Sequence, residues 1–428
     1  MTFDSLLKSA DPIVSSALDD VLDEKDISED AAAVLFDCKG MEMSMVLMVA
    51  DELRRRAVGN HVTYVVNRNV NFTNVCIKRC GFCAFSRDFR EEEGYILPIE
   101  EIVNRAKQAW KLGATEVCIQ AGLPPKMDGR LYIDICEAIK KELPEIHIHA
   151  FSPEEILYGS KRSDIPVREY MKMLKDAGVG SHPGTAAEIL DQHIRNVISP
   201  GRITVKDWIT IIKYAHSIGV PTTSTIMYGH VESSRDKAKH LALLRSIQKE
   251  TGGFTEFVPL SFVHTEAPMY NRNTVAHVRP GADGSEVLKM HAVARIILNR
   301  YISNIQVSWV KEGLRMSHIL LGAGVNDFGG TLINESISTA AGASYGQILK
   351  PKEIRAAIRS AGRVPAQRST TYGLLKVYDS EEDTESESLL DKTDPNQFGS
   401  YHELIKLDEF RYKKHNPPKG NEKIQSES

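Results

Sequence analysis

HVTYVVNRNVNF (residues 61–72) runs without a break into TNVCIKRCGFCAFSRDF (73–89), and this junction decides how the rest of the chain is read. The first part alternates and is rich in β-branched residues, the pattern of a strand. The second gathers Cys76, Cys80 and Cys83 at C-x3-C-x2-C spacing. Thiolates are soft ligands, suited to iron–sulfur clusters and to zinc. Three cysteines leave one iron of a four-iron cubane without a protein ligand, so a substrate can bind there. Gly81 lets the backbone wrap closely around such a cluster. Lys78 and Arg79 place positive charge near the thiols, which favours the thiolate. Structural zinc takes four ligands. The nearest histidine is His61, upstream, and no downstream histidine or cysteine stands at zinc-finger spacing, so zinc requires a distant fourth ligand.

Upstream, residues 1–60 read as a helical segment. Ser28 caps a helix through ISEDAAAVLF, and Met43, Val46, Leu47, Ala50 and Leu53 recur at helical spacing. Downstream, helices and short apolar strands alternate. The spacing predicts helices over 99–112, 131–143, 167–177, 205–218, 236–249, 286–302 and 311–321. Strands are predicted in ATEVCIQ, EIHIHAF, VGSH, VPTTSTIMYG, FTEFVPL and NIQVSW, and GAGVNDFGG is read as a loop. Gly113, Gly178 and Gly219 stand where helices should stop. This alternation implies an α/β fold with a parallel sheet covered by helices. With no GxGxxG opening the first unit, a β/α barrel spanning 61–378 is favoured over a dinucleotide fold. The cysteine loop then follows the first strand, where barrel active sites lie.

Residues 379–428 differ in texture. Asp379 to Asp391 holds seven acidic residues and no basic one, so this stretch is read as a polar, weakly ordered extension with one ordered piece around HELIKLDEF. The net charge of −4 over 428 residues carries no basic surplus of the kind that marks nucleic-acid binding. No apolar stretch is long enough to span a bilayer, and the start, MTFDSLLKSADP, has no signal-peptide pattern. A cytoplasmic protein is expected. Cys38, Cys118 and Cys136 are scattered in apolar surroundings and read as core residues.

C-x3-C-x-aromatic-C, with Phe82 as the aromatic, resembles the signature of the radical SAM superfamily. The resemblance implies a 4Fe-4S cluster whose open iron is chelated by S-adenosylmethionine (SAM). Reductive cleavage of SAM then yields a 5′-deoxyadenosyl radical. VNRNVNFTNVC, CGFCAFSR, HIHAFSPEE, PGTAAEIL, VPTTSTIMYGH and GAGVNDFGGTLINESISTAAGA resemble the branch that contains the menaquinone-pathway radical enzymes and the FO synthase subunit 2 family. NDFGGTLINESISTAAGASYGQ is most similar to the latter. That family implies a transferase joining the 4-hydroxybenzyl group of L-tyrosine to 5-amino-6-(D-ribitylamino)uracil, a step toward the deazaflavin of coenzyme F420. It also implies a partner subunit, FO synthase subunit 1, and an external electron donor. The alternatives are dehypoxanthine futalosine cyclase or aminofutalosine synthase and, in a different class, a non-catalytic zinc or iron–sulfur protein.

The resemblance also suggests residues. Gln120, Ala121 and Gly122 stand where the superfamily's glycine-rich motif meets the amino group of SAM, although this chain has QAG where the pattern is often Gly-Gly-Glu. Glu188 is expected on the ribose hydroxyls of SAM and Arg195 on its carboxylate, a guanidinium fork matching a carboxylate. Polar residues at predicted strand ends are substrate candidates: His149, Ser152, Tyr228, His230, His264 and Glu266. Asn326, Asp327, Asn334 and Glu335 add a polar set around the Gly-rich loop. GAGVNDFGG lacks the Lys-Ser/Thr of a phosphate-binding loop.

Overall fold

The computed structural model describes residues 10–415. Three helices open it, Pro12–Leu22, Glu29–Asp37 and Gly40–Val58. Ser28 caps the second by accepting from the Ala31 amide. The third packs along helix Gly284–Leu298 and the second on helix Ser234–Thr251.

The strand read at 61–72 forms as β1 (His61–Val65) and β2 (Asn67–Val70), separated at Val66. Side chains alternate between its faces. Val65, Asn67, Asn69 and Asn71 line a central cavity. On the outer face Tyr64 meets Tyr378 and Arg355, and Phe72 meets Tyr132.

From this strand, parallel pairing can be followed around the molecule. β2 pairs with β3 (Glu116–Ile119), β3 with β4 (His147–Ala150) and β4 with β5 (Val179–Ser181). His182 bridges to β6 (Thr222–Tyr228), and β6 pairs with β7 (Phe254–Ser261). Phe257 bridges to Ile305, and Gln306 bridges to β8 (Asp327–Gly330), which pairs back to β1. The succession returns to its first strand, resting on isolated bridges between β5 and β6 and on both sides of residues 305–306. The intervening helices cover it. Ile99–Lys111, for example, buries Ile102, Ala106 and Ala109, one helical face.

Four features differ from the sequence-based expectation. NIQVSW contributes only the bridging residues Ile305 and Gln306. GAGVNDFGG, expected as a loop, contains β8. Glycine is a poor strand former, but here a Cβ on Gly330 would lie 2.1 Å from Asn67 Oδ1, so only glycine lets β8 approach the first strand. A helix at Pro153–Ser163 was not expected from HIHAFSPEE, although Ser152 and Glu155 form its capping box and Pro153 opens it. β9 (Val364–Arg368) adds a further parallel strand beside β1, with β10 (Leu374–Val377) antiparallel to it.

The extension is more ordered than one piece around HELIKLDEF. Short helical turns run from Glu381 to His415, and Leu390, Phe398, Tyr401, Leu404 and Tyr412 are buried. Phe410 accepts from the Ile96 amide and Gly94 from the Tyr412 amide, both at 2.8 Å, so the extension crosses the segment that follows the cysteines. The ends of the segments read as 1–60 and 379–428 lie outside the described residues.

Candidate active site

The cysteine loop is fastened by its main chain. The amides of Cys76, Ile77 and Gly81 donate to Arg87, Leu123 and Ile198, and the Gly81 carbonyl accepts from Met269. Gly81 is therefore a packing requirement: a Cβ there would lie 3.0 Å from Met269 Cβ and 3.1 Å from the Ile198 carbonyl. Cys76 and Cys83 line a cavity of about 400 Å³, and Cys80 is buried. Burial pushes the Cys80 thiol up to about 12 and raises that of Cys83, and the neighbouring thiols add to both shifts.

The cation that opposes these shifts is one the sequence reading did not single out. Arg202 pulls down the pKa of both Cys80 and Cys83. Its guanidinium lies 5.5 Å from the centre of the Phe82 ring and bonds Glu188 at 2.6 Å and Glu154 at 3.4 Å. Burial disfavours its charge, but Cys80, Glu188 and Glu154 outweigh that and hold it protonated. The expectation for Lys78 and Arg79 is corrected. Arg79 is exposed and paired with Asp88, while Lys78 is engaged by Glu154 at 3.2 Å and the Gly201 carbonyl at 2.7 Å.

Gln120, Ala121 and Gly122 follow β3 and line the cavity. The Ala121 amide donates to Glu155 Oε1 at 2.9 Å and the Gly122 amide to the Thr73 carbonyl at 2.8 Å. A Cβ on Gly122 would lie 2.4 Å from the Val75 carbonyl, so this turn is pressed against the cysteine loop. Glu188 also lines the cavity. Arg195 does not, which corrects its expected role. Its guanidinium donates to the Ala186, Ala187 and Ile203 carbonyls and props the loop that carries Glu188.

The substrate candidates divide. His149, Ser152 and Glu335 line the cavity. His149 Nδ1 lies 2.7 Å from Ser181 Oγ, and burial lowers its pKa to about 4, so the ring is neutral at neutral pH. Ser152 is occupied as the cap of helix Pro153–Ser163, and Glu335 accepts the Ile337 and Ser338 amides. The others are corrected, because none of them lines the cavity. Tyr228 is fully buried outside the lining, and His230 bonds the Met227 carbonyl and the Val231 amide. His264 packs on Tyr270, and Glu266 is exposed. Asn326 is fixed by Arg295, Asp327 by Arg368 and Asn334 by Arg68.

In their place the strands supply Asn67, Asn69, Asn71, Glu116, Thr223, Thr225 and Glu256, and a helix start supplies Lys311. Asn69 Oδ1 and Asn71 Oδ1 are buried without a hydrogen-bond partner, so both acceptors are open to a ligand. Burial raises the Glu256 pKa against the pull of Arg368. The N-x-N-x-N run at 67–71 was a readable signal, since period two puts all three amides on one face. Cys118 also lines the cavity, which corrects its assignment to the core; Cys38 and Cys136 are buried as expected.

A loop of three free cysteines at the C-terminal mouth of a ring of parallel strands defines a radical SAM enzyme. Residues 70–244 match the model of the radical SAM superfamily, and residues 251–381 match that of the CofH/MqnC C-terminal region. A Methanocaldococcus jannaschii protein named 5-amino-6-(D-ribitylamino)uracil–L-tyrosine 4-hydroxyphenyl transferase is 48% identical over 356 residues, covering 82% of this chain and 98% of that one. An FO synthase from Streptomyces coelicolor is 43% identical over 351 residues, covering 82% of this chain and 40% of that protein. The solved maturase HydG from Carboxydothermus hydrogenoformans shares the fold, with a TM-score of 0.64 at 16% identity over 86% of this chain and 82% of that one. The chain belongs to the family of the 5-amino-6-(D-ribitylamino)uracil–L-tyrosine 4-hydroxyphenyl transferases.

The superfamily's cofactors are a 4Fe-4S cluster and SAM, and the residues present fit them. Among the described residues no three His, Cys, Asp or Glu side chains converge as ligands of one metal ion do. Three free thiols on one loop, each able to take a separate iron, suit such a cluster. Gln120, Ala121, Gly122 and Glu188 share the cavity with Cys76 and Cys83, where SAM would be held. Among the described residues no helix is long and apolar enough to cross a membrane.

Proposed function

We propose that this chain transfers the 4-hydroxybenzyl group of L-tyrosine to 5-amino-6-(D-ribitylamino)uracil. The observation that carries the reading is the shared cavity: thiols of the cysteine loop and a polar, strand-borne wall line the same space. When bound, the cluster and SAM would supply hydrogen-atom abstraction, and the substrates would share this cavity with them. The chain's own residues position the reactants. Asn69 and Asn71 offer acceptors to the N–H groups of the uracil or the hydroxyls of the ribityl chain. Glu188 accepts from the ribose hydroxyls of SAM, and Arg202 fixes Glu188 beside the loop. The neutral His149 ring is poised to hydrogen-bond a polar substrate group.

The product requires a second enzyme to close the deazaflavin ring. The FO synthase relative, of which this chain covers 40%, supports a partner subunit that holds that activity on a separate chain. An external donor supplies the electron, and a reducing cytoplasm suits thiols that must stay free. The test is anaerobic reconstitution with SAM, a reductant, L-tyrosine and 5-amino-6-(D-ribitylamino)uracil, followed by mass spectrometry. Both 5′-deoxyadenosine and the hydroxybenzyl adduct are expected. Deoxyadenosine without the adduct would reject the substrates while leaving the radical chemistry in place.

A further inference from the structure

Four cationic side chains line the cavity, and three are spoken for. Lys78 is held by Glu154, Arg202 by Glu188 and Glu154, and Arg368 by Asp327 at 2.6 Å and Glu256 at 3.5 Å. Lys311 is the exception. It sits in the first turn of helix Trp309–Leu320, just after the bridging residues Ile305 and Gln306. Among the described residues its ammonium has no carboxylate within ion-pair distance. The acids whose fields reach it are Glu335, Glu312 and Glu188. Two of them have other partners, since Glu335 accepts the amides of Ile337 and Ser338 and Glu188 bonds Arg202, while Glu312 keeps one carboxylate oxygen buried without a hydrogen-bond partner. A half-buried ammonium that lines a cavity without a counter-ion invites a ligand that supplies one.

We propose that Lys311 binds the carboxylate of the amino-acid substrate. This rests on the reading of L-tyrosine as that substrate. Tyrosine brings one carboxylate, whereas the ribitylaminouracil brings none. Glu188 reaches both cations, but Arg202 acts on Cys80 and Cys83, whereas Lys311 is reached first by Glu335 and Glu312. Arg202 therefore serves the cluster and SAM, and Lys311 orients tyrosine so that its amino group faces the radical. Lys311 is a binding and positioning residue in this role and takes no part in bond making.

The experiment compares L-tyrosine with L-tyrosinamide, whose carboxylate is replaced by a neutral amide. Dissociation constants are measured by equilibrium dialysis on the reconstituted enzyme with SAM bound. In the unaltered enzyme the amide binds roughly ten- to a hundredfold more weakly, the scale of a charge-assisted hydrogen bond. Lys311→Met removes the charge at similar length. Tyrosine should then fall to the level of the amide, while the affinities for the amide and for SAM stay unchanged. Lys311→Arg should retain the preference, and Lys311→Gln replaces the Met variant if that one does not fold. A preserved preference in the neutral variants, or a loss confined to SAM binding, overturns the inference and leaves the proposed function standing. If the unaltered enzyme shows no saturable tyrosine binding, the proposed function falls and the inference falls with it.

Discussion

The two ends of the cavity are held together differently. Around the cysteines the three thiols sit on one short loop, and main-chain atoms of Ile198, Leu123, Arg87 and Met269 fasten it. Across the strands, one or two polar side chains come from each element, among them Asn69 from β2, Glu116 from β3, His149 from β4, Thr225 from β6 and Glu256 from β7. Side-chain partners orient several of these, such as Asn67 on Glu116, Ser181 on His149 and Tyr372 on Glu256. The loop should tolerate any change that spares its thiols and its tight glycine contacts. The wall should be sensitive to each charge and each amide. The largest effect expected is therefore at the thiols. Cys76→Ala, Cys80→Ala or Cys83→Ala should abolish SAM cleavage, read as 5′-deoxyadenosine and as iron bound after reconstitution. Cys38→Ala and Cys136→Ala should leave both near the unaltered level. Cys118→Ala should keep the iron and lower only adduct yield, because Cys118 belongs to the wall. Full turnover after loss of any of the first three would break the comparison.

Two arginines sharpen it. Arg202→Met strands Glu188 in a buried site, while Glu154 keeps Lys78 and the Ile203 amide; losing one partner of a buried ion pair costs about 3–5 kcal/mol. Both stability in denaturant and SAM affinity should drop. Adding Glu188→Gln should recover part of the stability, because one stranded charge is removed. Arg195→Met leaves the Ala186, Ala187 and Ile203 carbonyls without their donor. It should cost about 1–3 kcal/mol per unsatisfied group, with SAM affinity of the folded protein little changed. A larger loss of SAM affinity at Arg195 than at Arg202 would reverse the assignment of the two.

The same contrast explains what could be read in advance. The cysteine loop is contiguous, so spacing alone exposes it, and helix–strand alternation exposes the ring. Arg195 and Arg202 are seven positions apart in one polar stretch. Nothing in that stretch says which guanidinium turns toward the thiols and which toward backbone carbonyls. Asn326, Asp327 and Asn334 read as a polar set, but burial had already committed them to Arg295, Arg368 and Arg68. β8 was hidden because its glycines serve close approaches, Gly330 to Asn67 and Gly329 to Gln306, and carry no strand pattern. Lys311 was not singled out because its meaning lies in the pairing of the other cations in the cavity.

A smaller effect tests the wall by pH. The unperturbed histidine value is 6.5, and burial holds His149 at about 4. The folded value is depressed, so the stability this ring contributes is present above pH 6.5 and is lost as the pH falls through about 4. In ring-carbon NMR of the histidines, the His149 signal should stay in its neutral position down to pH 5. A midpoint near 6.5 would mean that water solvates the ring and that the wall is looser than its hydrogen bonds indicate.

The smallest effect expected lies where the extension meets the cysteine loop. The Tyr401 ring packs on Phe85 with centroids 5.7 Å apart, and Phe85 lies two residues past Cys83. The Tyr401 amide is anchored separately by Gln347 at 3.0 Å. Tyr401→Leu keeps apolar bulk in place and removes the ring pair, which is worth about 0.5–1.5 kcal/mol beyond burial. If main-chain bonds alone secure the loop, this change leaves the rate of iron extraction by a chelator unaltered. If the extension braces the loop as its contacts with Phe85, Gly94 and Ile96 suggest, extraction should quicken by up to roughly tenfold, the rate equivalent of that energy. Global stability should change little, because Tyr401 takes no part in the pairing of the strands. Faster extraction without a shift in the unfolding midpoint would extend the loop's support from the main chain to the side chains of the tail.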